Sequence, residues 1–147
     1  MATLGSYLAQ SASVRPSIQA AIDGVQSCSQ TPSGGEDTIQ QAIDTRQRIL
    51  RGLQTLSPAS LPQGAQLISK LSAAMQDSLN ADRVYQNWMA DAAGSGGACG
   101  SDPAQDSNYE AGQNASVQAT AAKNGFLDIW NPIAPGYGQK TYSGTDF

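Results

Sequence analysis

Three charged residues stand on or beside apolar helical stripes, where a solvated side chain would not be placed. Arg15 adjoins the stripe Leu4, Leu8, Ser11, Val14, Ile18, Ile22, Val25 and Cys28. Arg46 falls on the stripe Ile39, Ala42, Ile43, Ile49, Leu50, Leu53 and Leu56. Asp82 falls on Ile68, Leu71, Met75, Leu79, Tyr85 and Met89. If successive helices run in opposite directions, the three sit about 13, 9 and 11 residues from one common end, within roughly 6 Å at the helical rise. Asp82 is therefore expected to pair with Arg46 and to reach Arg15, with the Tyr85 hydroxyl joining from one turn above. Two roles fit that network. One is an ion pair that sets helix register, with little net stability because desolvation opposes attraction. The other is a polar pocket for a small anion or an amino-acid-like ligand, held by Arg46 and Arg15.

The remaining residue types narrow the chemistry. The chain has no histidine. That removes Ser–His–Asp and Cys–His catalysis, the usual general base and the usual zinc ligand. Two distant cysteines do not make a four-cysteine metal site, and neither a GxGxxG nor a GxxxxGK[ST] phosphate cradle occurs. Paired-carboxylate hydrolysis needs two acids facing one cleft, and the acids here fall mostly on polar helix faces or in loops. The expectation is no catalytic residue, no metal and no cofactor: a protein that is not an enzyme.

The elements that would position these residues are four helices, over residues 3–29, 37–56, 62–93 and 106–131, followed by an irregular C-terminal tail, 132–147. Each repeats its apolar residues at steps of three and four, and no stretch alternates at the period of a strand. The reading is all-α: an up-down-up-down four-helix bundle in a single domain spanning residues 1–147. Pro16 either kinks the first helix or divides it. The acidic pair in "TPSGGED" is read as the start of the second helix, favoured by its dipole. Trp88 falls near one end of the bundle and Trp130 near the other; with Tyr85 and Phe126 they are expected to pack the core. Lys123 is read as solvated or snorkelling.

The stretch "DAAGSGGACGSDPAQDS" carries Cys99 between the third and fourth helices. In the alternating topology Cys28, at the end of the first helix, lies at the same end of the bundle. One Cys28–Cys99 disulfide is expected. It would close a loop of roughly 70 residues, worth about 4 kcal/mol in the chain-entropy model. A stable disulfide implies an oxidising compartment, so the location expected is extracytoplasmic, secreted or at the cell surface. No leader is evident in "MATLGSYLAQ", so the chain reads as a mature secreted protein or an excised ectodomain.

Composition limits the partners. Eight Lys and Arg against 12 Asp and Glu give a net charge of −4. Nucleic acid and anionic membranes favour clustered cations, which are absent here. No run of apolar residues is long enough to span a bilayer.

The segments "LNADRVYQNWMADAAGSGGACG" and "ASVQATAAKNGFLDIWNPIAPGYG", with the upstream "DTRQRIL" and Cys28, resemble a helical domain of actinobacterial membrane-associated proteins. The residues that carry the resemblance are Arg46, Asp82, Tyr85, Trp88, Cys99, Lys123, Phe126, Trp130, Asn131 and Pro132. The resemblance implies a domain outside the cell, tethered by a membrane segment upstream, and implies no activity. The function expected is non-catalytic binding of a protein or small-molecule ligand, with a sensor role. The alternative is a secreted structural or interaction protein carried by type VII secretion, on the YxxxD pattern Tyr142 to Asp146. The Trp-x-Gly turn that usually accompanies that pattern is missing, since Trp88 is followed by Met89 and Ala90.

Overall fold

The computed structural model describes residues 1–94 and 106–147. Four helices account for most of them: α1 (Ala2–Gln26), α2 (Pro32–Gln54), α3 (Gly64–Gly94) and α4 (Ser107–Ile133). Among the described residues there is no strand. Short 3-10 turns at Pro58–Ser60 and Ala134–Tyr137 complete the regular structure. Each helix packs on the next in sequence, α3 on α4 most extensively. This is a helical bundle, and among the described residues no helix is long and apolar enough to cross a membrane.

Local chemistry sets the helix ends. The Thr31 hydroxyl accepts from the Gly34 amide at 3.3 Å, and Pro32 occupies the first turn, where its fixed φ suits a helix and its missing N–H costs nothing. α2 therefore starts about one turn before the acidic pair, and Glu36 and Asp37 lie inside it rather than at its start. The glycines that read as a turn serve packing. A Cβ on Gly35 would stand 2.7 Å from the Met89 sulfur and 2.7 Å from a Val25 methyl. Asp106 caps α4 by accepting from the Asn108 amide at 2.7 Å. Pro16 lies within a single α1 and does not divide it.

The core has two apolar halves. One gathers Leu4, Leu8, Ile49, Leu53, Leu67, Leu71, Met75, Phe126 and Trp130. The other gathers Ile18, Ile22, Val25, Ile39, Ile43, Leu79, Tyr85, Trp88 and Met89. The residues expected to seal the two ends thus belong to separate clusters, Trp88 to one and Trp130 to the other.

The C-terminal segment is irregular in backbone but built into the fold. The Trp130 indole donates to the Lys140 carbonyl at 2.9 Å. Asn131 holds the Tyr142 backbone from both sides, donating to its carbonyl at 2.8 Å and accepting from its amide at 3.1 Å. These bonds turn the chain back along α4, and Phe147 ends fully buried in the first cluster.

Candidate functional site

Between the apolar halves lies a layer of polar side chains: Ser11, Arg46, Ser78, Asp82 and Lys123, each at most 3 % exposed. Arg46 Nε donates to Asp82 Oδ2 at 2.5 Å, and Arg46 Nη1 donates to the Ser11 hydroxyl at 3.0 Å. The pair joins α2 to α3, and Ser11 brings in α1. Charge-assisted bonds of this length are strong, and here they take up two of the five N–H donors of the Arg46 guanidinium.

Arg15 lines the same space half-buried, and its charge acts on Asp82 and Lys123 through the field rather than by a direct ion pair. Tyr85 does not join Asp82 through its hydroxyl. That hydroxyl is turned towards Ser116 on α4, which acts on its ionisation. The Tyr85 ring lies against Gly112, where a Cβ would stand 2.8 Å from it. Tyr85 also meets the Trp88 and Tyr109 rings edge-on, at 6.3 and 6.2 Å between centroids. Phe126 stacks on Trp130 at 5.7 Å in the other cluster.

Lys123 is the main correction to the sequence reading. It is buried, not solvated or snorkelling. Its ammonium lies 5.4 Å from the centroid of the Phe147 ring, in the C-terminal segment. The spacing that betrays it is Ala119, Lys123, Phe126, Trp130, a run of steps of four, three and four. The neighbouring Ala122 and Ile129 are only half-buried. Ser11 and Ser78 carried a similar signal. Ser11 sits on the α1 stripe, and Ser78 sits one turn before Asp82.

Electrostatics follow from burial. Desolvation pushes the Asp82 carboxyl above its ordinary value, against the pull of Arg46, Lys123 and Arg15. Desolvation, then repulsion from Arg46 and Arg15, lowers the Lys123 amine from 10.5 to about 7; Asp82 pulls the other way. Burial also raises the Tyr85 phenol.

Arg15, Arg46, Ser78, Asp82, Tyr85 and Lys123 enclose a cavity of about 10 Å³. That admits a guest no larger than a water-sized sphere. An amino-acid-like ligand does not fit. The larger space nearby is an open groove of about 500 Å³ between α1 and the C-terminal segment, lined by Arg15, Gln19, Lys140, Tyr142 and Asp146. Among the described residues no group of three or more acids, cysteines or histidines is placed to hold a metal.

Cys28 is exposed in the turn after α1, with φ 59°, where the Ser29 amide donates back to the Gly24 carbonyl at 2.9 Å. Cys99, and with it the expected Cys28–Cys99 bond, lies outside the described residues. No protein-family model, no curated protein and no solved structure matches the chain.

Proposed function

We propose that the chain is a non-catalytic, extracytoplasmic helical module of a membrane-associated protein, which works by binding a protein partner. The observation that carries the location is a single bond. The Tyr109 hydroxyl donates to Gln26 Oε1 at 3.1 Å, tying the first turn of α4 to the last turn of α1. Cys28 follows Gln26 by two residues, and Asp106, which caps α4, ends the segment that carries Cys99. Cys28 and the described residues that flank the Cys99 segment thus lie at one end of the bundle, which favours a Cys28–Cys99 disulfide. A structural disulfide belongs to an oxidising compartment.

A binding role fits the polar layer better than catalysis does. Among the described residues Asp82 is the only carboxylate lining its cavity, and Arg46 already holds it. The size of that cavity favours a macromolecular partner over an organic ligand in the core. The type VII alternative draws less support. Tyr142 is half-buried and fastened to Asn131, so the YxxxD segment is docked rather than displayed.

The test is an intact mass of protein made in an oxidising compartment, alkylated with and without reductant. The expected result is a monomer whose two thiols are blocked until reduction. Free alkylation of both thiols overturns the proposed location.

A further inference from the structure

The open groove between α1 and the C-terminal segment carries unused binding groups on both walls. On the α1 wall Arg15 is half-buried, and its guanidinium makes no ion pair among the described residues. Ala12 and Pro16 lie on the same wall. Pro16 has no N–H, so the Ala12 carbonyl lacks the donor that the next turn of a helix would supply. On the opposite wall the Lys140 ammonium lies 5.8 Å from the centroid of the Tyr142 ring and also makes no ion pair among the described residues. Asp146 is the one acid among the lining residues, and it already accepts the Ser143 amide at 2.6 Å.

We propose that this groove binds an acidic segment of a partner protein: Arg15 and Lys140 hold its carboxylates, and the Ala12 carbonyl accepts one of its backbone N–H groups. The proposal rests on the protein-binding reading above and names the face and the chemistry that serve it. Two cations against one engaged acid give the groove a positive excess in a chain of net charge −4. Such complementarity selects a partner and fixes its register more than it adds affinity. Two cations are too few for a nucleic acid, whose affinity comes from many neutralised phosphates. They match one or two carboxylates. The groove holds about 500 Å³ and is open rather than enclosed. A small ligand is normally buried over most of its surface, whereas a polypeptide can lay one stretch in an open groove and continue beyond it. A backbone acceptor beside the cations also suits a peptide, which brings an N–H with each residue.

The experiment titrates the isotopically labelled full chain, at low salt, with the capped peptide acetyl-Gly-Glu-Gly-Glu-Gly-amide and follows it by NMR. Saturable shifts are expected at the Arg15 side chain and the Thr141 amide, and the same peptide with glutamine for glutamate should bind several-fold more weakly. Arg15→Gln should weaken binding roughly fivefold, the most that a partly exposed ion pair contributes. Arg51→Gln, at an exposed arginine on α2 outside the groove, should leave it unchanged. Should Arg15→Gln fail to fold, Lys140→Gln, at the exposed rim, carries the same expectation. Asp146→Asn, which keeps an acceptor for Ser143 and removes the charge, should tighten binding. The absence of saturable shifts in the groove, or binding that neither Arg15→Gln nor Lys140→Gln weakens, overturns the proposal and leaves a protein partner to another face. Equal shifts from acetate show a bare anion spot and overturn it as well. The protein-binding reading fails separately, if cross-linking of the full chain in its native setting joins it to no protein.

Discussion

The Lys123 ammonium stands 5.4 Å from the centroid of the Phe147 ring, so a buried cation on α4 is covered by an aromatic residue 24 positions further along the chain. The ring face favours the charged amine, a modest effect, while burial and the two arginines oppose it. The folded amine titrates near 7 and an unfolded lysine near 10.5, so between those values the unfolded chain binds more protons. Stability therefore rises with pH across that window and is flat, for this group, above it. The rise corresponds to roughly 4–5 kcal/mol. Urea denaturation from pH 6.5 to 10.5 should show it, and Lys123→Met should remove most of the slope.

The pair Arg46–Asp82 should behave as a buried ion pair does. Asp82→Ala leaves Arg46 and Lys123 facing each other across the cavity without a counter-charge, and should cost about 3–5 kcal/mol. Replacing both partners with apolar side chains, as in Arg46→Met with Asp82→Leu, should recover most of that loss. Denaturation midpoints of the two single variants and the double variant complete the cycle. If the double variant is as unstable as the worse single one, the polar layer contributes through something other than this pair.

Register made much of this legible before any coordinates. Arg46 and Asp82 interrupt apolar stripes at matching distances from one end of the bundle, and a charge in a stripe must find a partner. Tyr85 shows where register stops. One turn from Asp82 puts its hydroxyl near the network, but the absence of a side chain at Gly112 draws the ring towards α4 and Ser116. Lys123 escapes the pattern because the small residues around it, Ala119, Ala121, Ala122 and Gly125, blur which face of α4 is buried. The C-terminal segment was opaque for another reason. Its placement depends on single hydrogen bonds from Trp130 and Asn131, and isolated bonds leave no periodic trace.

The two glycines of α4 should respond oppositely to alanine. At Gly112 the new methyl meets the Tyr85 ring at 2.8 Å, and the ring is pinned by Trp88 and Tyr109. Gly112→Ala should destabilise by about 1–3 kcal/mol through overpacking. At Gly125 the nearest outside atom is Lys70 Nζ at 3.8 Å. Gly125→Ala should stabilise by about 0.5–1 kcal/mol, the difference in helix propensity. Thermal melting of the two variants side by side tests both signs.

Phe147 is the strongest single test of whether the C-terminal segment belongs to the core. Its ring meets Phe126 at 6.3 Å and Tyr142 at 5.8 Å, both edge-on. Phe147→Ala should cost about 3–5 kcal/mol, the range for emptying a buried aromatic site. It should also open Lys123 to water and return its amine towards the ordinary lysine range, which NMR titration would read directly. Truncation before Tyr142 should do at least as much damage. A loss of export after such a truncation would therefore report misfolding as readily as a missing signal. Asp146→Ala separates the two, because Asp146 is exposed and accepts the Ser143 amide at 2.6 Å from within its own turn. That variant should keep its stability to within about 1 kcal/mol. If it folds but is no longer exported, the YxxxD pattern is read by secretion machinery. If Phe147→Ala leaves the melting point unchanged, the segment is a surface strap and Lys123 owes its burial to the helices alone.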